Sequence, residues 1–206
     1  MMKKYGLLIL SFVPLAPLNG QEFVVMLEKM NVLYAGMENP FRATVGDIPQ
    51  NQLVLTPSKG TVSRDSSGAW SWKICEYTAS SVFLILSDSA GGKADTLYFR
   101  VKRPPEPLFR IVPGGYHSSG GISGAFEGVC GESMRPEIVG FELTVVPNRG
   151  DAYVARNSGA RFSGNARDLM LRLKRGDRVY IDDIAWRAGC DPAVRKSDAC
   201  LFWKVE

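Results

Sequence analysis

The chain has 206 residues, 45% of them hydrophobic and 22% charged, the make-up of a folded globular protein and not of a disordered, collagenous or coiled-coil one. Its formal net charge of +4 comes from 25 Lys and Arg against 21 Asp and Glu, spread without a dense basic block, so nucleic-acid binding gets no support. The single histidine, His117, excludes a histidine pair or a multi-histidine metal site, and the only long apolar run lies at the very start, which argues against a helical membrane channel or pump.

Lys3 and Lys4 precede an apolar stretch from Tyr5 to Leu18, followed by Asn19, Gly20 and Gln21. A charged start, a short apolar middle and a small residue at the end are the layout of a signal peptide. At about 14 residues the stretch is short of the roughly 20 that a helix needs to cross hydrocarbon, and Pro14 and Pro17 would break one. Residues 1–20 are therefore expected to be cleaved after Gly20, leaving no transmembrane segment and a periplasmic or secreted product. The first cysteine is Cys75, so no lipid-attachment site lies near the cut.

Residues 21–103 alternate short β-rich runs with turn residues. The runs are Asn31 to Tyr34, Phe41 to Val45, Gln52 to Leu55, Trp70 to Ile74, Ser81 to Leu86 and Thr96 to Val101. Proline, glycine, asparagine and aspartate clusters such as Pro57-Ser58-Lys59-Gly60 and Asp65-Ser66-Ser67-Gly68 separate them, and each supplies a fixed φ or tolerates a positive one. Such spacing predicts an immunoglobulin-like β-sandwich. Pro104-Pro105-Glu106-Pro107 follows at once and holds the chain extended, so residues 104–107 read as a stiff linker.

Residues 108–206 are predicted to form a β-rich domain with one α-helix. Strands are expected at Val139 to Val146, with Val139, Phe141, Leu143 and Val145 on one face, and at Ala152 to Arg156, Arg178 to Trp186 and Cys200 to Val205. The helix is placed at Asn165 to Arg175, capped by Ser163 or Asn165 and stopped by Gly176. Ala166, Leu169, Met170 and Leu173 share its apolar face, and the cations of its last turn suit the helix dipole.

Four cysteines in an exported chain allow three pairings, and no C-x-x-C points to zinc or redox chemistry. Cys190 and Cys200 flank a turn-rich loop between two strand-like runs and are expected to pair. Cys75 and Cys130 fall in different halves and are given no partner.

No residue pattern supports catalysis or a cofactor. His117 lies beside Ser118 and Ser119 in a glycine-rich run, without G-x-S-x-G or a cysteine-protease signature, and reads as a loop. That run also lacks the phosphate-cradle motifs, and the aspartates near the end lack a calcium-loop pattern, so no metal is expected. Arg167, Arg172, Lys174 and Arg175 form either a basic face for an acidic partner or a solvated surface. Trp186 and Trp203 read either as core or as exposed interface anchors.

Three collinear stretches carry a family resemblance. Residues 29–40 (KMNVLYAGMENP), residues 99–107 (FRVKRPPEP), and Ser158-Gly159-Ala160-Arg161-Phe162 with residues 173–181 (LKRGDRVYI) resemble the last two periplasmic domains of the GldM family, called PorM in some species. These are gliding-motility and type IX secretion proteins of the Bacteroidetes. The resemblance implies two mainly β domains, an elongated homodimer, docking of the last domain on ring proteins at the outer membrane, and no catalytic residues. The resemblance covers the family's last two periplasmic domains and neither its transmembrane helix nor its first two, so the chain is not expected to be a motor subunit by itself. The leading expectation is a non-enzymatic envelope protein working by protein contact, with sheet edges and the hairpin around Cys190 to Cys200 as its contacts. The alternative is a free-standing extracellular module that binds polysaccharide or a host surface.

Overall fold

The computed structural model describes residues 23–27, 31–46, 48–91, 95–112, 119–128 and 134–206. The expected leader at 1–20, His117 and Cys130 lie outside the described residues.

Among the described residues, the first half holds eight strands: β1 (Phe23–Leu27), β2 (Val32–Tyr34), β3 (Glu38–Val45), β4 (Leu53–Pro57), β5 (Thr61–Arg64), β6 (Trp70–Lys73), β7 (Val82–Asp88) and β8 (Asp95–Lys102). They form two four-stranded sheets, ordered β1-β3-β6-β5 and β2-β8-β7-β4. Reading β1 and β2 as a split first strand, this is the immunoglobulin arrangement of strands A, B, E and D against C, F and G. Alternation within the strands does the sorting: Phe41, Ala43 and Val45 of β3 and Val82, Leu84 and Leu86 of β7 all point inward and are buried. Trp72 fills the middle, 1% exposed, edge-on to Phe99 at 5.3 Å and donating its indole N–H to Lys59 O at 2.8 Å.

Asn39 anchors the β2–β3 corner. Its Oδ1 accepts the Tyr34 N–H at 2.7 Å, and its amide donates to the carbonyls of Tyr34, Met37 and Trp72, so a buried polar side chain is satisfied on both sides. Pro40 next to it stands opposite Ser71 of β6 and beyond the last described rung between β1 and β3, Leu27 to Phe41.

The second half holds β9 (Leu108–Ile111), β10 (Ile122–Ala125), β11 (Glu137–Val146), β12 (Tyr153–Ser158), α1 (Gly164–Leu171), β13 (Arg178–Arg187), β14 (Arg195–Ser197) and β15 (Leu201–Lys204). Strands β12, β11 and β13 lie side by side, and β14 and β15 both pair along the far edge of β13. Strands β9 and β10 form a separate two-stranded sheet. Leu143, Val145, Val179, Ile181 and Ile184 of the large sheet are buried with Phe109, Ile122, Ala166 and Met170 in one cluster.

Two expectations about this half need correction. Helix α1 ends at Leu171, with Arg172 as its C-cap and no basic residue in its last turn, so Arg172, Lys174 and Arg175 do not cap a helix dipole. The Asp177 carboxylate draws the chain into a turn by accepting the Lys174 N–H at 2.8 Å, and Gly176 takes φ +94 and donates to Val205 O at 2.8 Å. Val139 is not on the inner face. A register shift between Ile138 and Gly140 buries Ile138 and Phe141 and turns Val139 out to 36% exposure.

Candidate interaction surfaces and the joint between the halves

The cysteine pairing also needs correction. Cys75 is bonded to Cys190 across 115 residues with Cα atoms 5.0 Å apart, and Cys200 is free and exposed. The reason lies in the register of β13. Cys200 precedes Leu201, which pairs with Ile181, whereas Cys190 lies past Arg187 at the other end of the strand. Six strand residues separate these positions by roughly 20 Å, far beyond the reach of a disulfide. The segment from Cys190 to Cys200 is not a simple hairpin. In fact β14 intervenes, pairing with Ile184 to Trp186.

The disulfide is one part of a packed joint. The corner after β2 carries Ala35-Gly36-Met37, and Met37 is 1% exposed within the core of the second half. Gly36 takes φ +79 and Gly189 takes φ +45. A Cβ on Gly36 would meet Ala188 O at 2.3 Å, and one on Gly189 would meet Gly36 O at 2.0 Å. Only glycine permits this backbone approach. The Cys190 N–H donates to Gly36 O at 3.3 Å, and the Glu38 N–H donates to Met134 Sδ at 3.1 Å. Pro104 and Pro107 of the connecting segment are buried, and between them Glu106 accepts a hydrogen bond from Ser197 Oγ.

A groove of about 630 Å³ runs along this joint, lined among others by Tyr77, Arg103, Trp186, Asp191 and Arg195. The Arg103 guanidinium lies 4.7 Å from the Tyr77 ring centroid, and Arg195 lies 5.3 Å from that of Trp186 while pairing with the buried Asp191 at 2.5 Å. Trp186 is 2% exposed and meets Phe126 edge-on at 5.7 Å. It is core, and no surface is left for it as an interface anchor. Trp203 is half-buried and packs on the same cluster from β15.

The remaining candidates separate. Arg167 is exposed on α1 and does not line the groove that gathers the others. Arg172, Lys174 and Arg175 come together with Arg149 of the β11–β12 turn around a second groove of about 860 Å³, whose floor includes Val145, Leu169 and Leu173. Sequence reading missed Arg149, because nothing local ties a loop residue to a segment more than twenty positions away.

Among the carboxylates that depart from their ordinary values, Glu38 and Asp182 move in opposite directions. The Ser71 hydroxyl bond, helped by Lys73, holds Glu38 below the usual glutamate range against some desolvation. Burial, with Glu142 and Asp183 nearby, pushes Asp182 up. Among the described residues no cluster of His, Cys, Asp and Glu is placed to hold a metal, and no helix is long and apolar enough to cross a membrane.

The molecule is thus a tandem of β domains, an immunoglobulin-like sandwich bonded covalently to a helix-covered antiparallel sheet. Residues 23–102 match the family model of the GldM third domain, and residues 111–203 match that of the GldM C-terminal domain. The chain belongs to the GldM family and corresponds to its last two domains. That membership points to the gliding and type IX secretion machinery. No curated protein matches the chain.

Proposed function

We propose that this is a non-enzymatic, exported envelope protein that works by protein–protein contact beside or within the gliding and type IX secretion apparatus. Its leader would be residues 1–20 and its domains 21–103 and 108–206, joined through 104–107. The observation that carries the reading is the joint: a disulfide, an inserted methionine and a glycine-to-glycine backbone contact hold two β domains at one fixed angle. Such a joint suits a part that transmits position or force to a partner. A disulfide between domains also fits an oxidising compartment, the periplasm or beyond. A homodimer, and docking on ring proteins at the outer membrane, are what family membership adds to this reading.

The test is an affinity capture of the tagged protein from crosslinked envelopes of its own organism, read by mass spectrometry against a tagged control. Enrichment of outer-membrane ring components of the secretion apparatus is expected. Enrichment of glycans instead would favour the second reading, a free-standing adhesion module. One feature speaks for that reading: Tyr98 on the outer sheet face is 64% exposed beside Phe83, with ring centroids 6.0 Å apart. The two rings are tilted by 59°, whereas a sugar platform needs rings lying flat at the surface.

A further inference from the structure

We infer that the groove between the end of α1 and the β11–β12 turn receives an extended acidic segment of a partner protein that carries apolar side chains between its carboxylates. The inference rests on the docking role proposed above and adds the chemistry of what is docked.

Charge is the first argument. Arg149, Arg172, Lys174 and Arg175 are all exposed, and none of them makes an ion pair among the described residues. The acid that lines the groove, Asp177, is 6% exposed. Its two oxygens are occupied by the N–H groups of Asn148 at 3.2 Å and Lys174 at 2.8 Å. Asp151 and Asp168 are exposed nearby in sequence but pair with none of the four. Cations gathered at a concave site with low-dielectric walls focus a positive potential and call for an acidic ligand.

The floor is the second argument. Val145 is buried and Leu169 and Leu173 are half-buried under the cations, while Leu171 at 63% and Tyr153 at 56% stand exposed on either side. A small inorganic anion would leave this apolar surface wet. A flat bilayer could meet the cations but could not reach a floor sunk between helix and turn. Alternating apolar and acidic side chains would satisfy both features. Strand β12 is last in the order of its sheet, with α1 packed against it.

The experiment uses the full-length protein with its disulfide intact and a fluorescein-labelled peptide alternating leucine and glutamate. Controls are the leucine–lysine peptide, the serine–glutamate peptide, and vesicles containing phosphatidylglycerol. Binding of the leucine–glutamate peptide alone, weakened by added salt, is expected. The variant Arg172→Glu/Lys174→Glu/Arg175→Glu should lose at least about tenfold in affinity, and Leu171→Ser about threefold. Equal binding by wild type and both variants would overturn the inference, as would equal or better binding of the serine–glutamate peptide or the vesicles. Envelope capture separates this inference from the reading beneath it. If wild type and the triple variant capture ring proteins equally, the groove is wrong and the docking role stands. If wild type captures none, the docking role fails and the inference with it.

Discussion

The joint and the distal groove lie at opposite ends of the second half and are built in opposite ways. At the joint, backbone meets backbone across two glycines, Met37 is swallowed by a foreign core, and a covalent bond closes the contact. Its buried charge is paired, Arg195 on Asp191. At the groove, exposed leucine and tyrosine stand beside cations without partners in the described residues. The joint still leaves the Trp186 indole N–H and one Arg195 nitrogen buried without a partner, but its covalent and backbone contacts hold the molecule together, whereas a surface that leaves apolar area and charge open is available to others.

Breaking the joint should have the largest effect. Cys75→Ser/Cys190→Ser removes a crosslink that the chain-entropy model values at about 5 kcal/mol, with measured losses for native disulfides of roughly 2 to 5 kcal/mol. Chemical denaturation of the oxidised wild type and the double variant would measure it. Cys200→Ser should leave stability within about 0.5 kcal/mol, as for exposed sites in general. Next comes Gly189→Ala, which places a Cβ 2.0 Å from Gly36 O at a positive φ; a loss of roughly 2 to 3 kcal/mol is expected, read by the same titration.

A smaller effect comes from pH and has opposite signs at two sites. Glu38 beside the joint is held low, so its contribution to stability is present above the ordinary glutamate range and is lost as pH falls through its lowered value. Asp182 is raised, so the folded protein keeps its proton to higher pH than the unfolded chain does. Its contribution falls as pH rises from the ordinary aspartate range through that raised value. Asp182→Asn should therefore melt higher than wild type at neutral pH, with the gap closing in acid, while Glu38→Gln should melt lower at neutral pH. Smallest of all on stability is the triple reversal of Arg172, Lys174 and Arg175, expected to stay within about 0.5 kcal/mol. That contrast is the point of it: the groove can change its ligand without loosening the fold.

The sandwich was legible because its strands alternate cleanly and its turns carry their own punctuation, as at Pro57 to Gly60. Short edge strands such as β5, with Thr61, Ser63 and Arg64 exposed, escaped because half-polar strands bury too little to show a period. The apolar stripe of Ala166 and Met170 located the helix. Its end was misplaced because Leu173 continues the stripe, while the residue that stops the helix, Asp177, acts through backbone N–H groups that no periodicity records. The disulfide was out of reach for a different reason. Pairing depends on which sheet end faces the other half, and Cys75 stands 115 positions away from its partner.

A non-reducing peptide map of the native protein tests the central claim most directly. The account requires a Cys75–Cys190 linked peptide, with Cys200 open to alkylation without denaturant. A Cys190–Cys200 linked peptide, or Cys75 alkylated in the folded protein, would contradict a covalently locked joint.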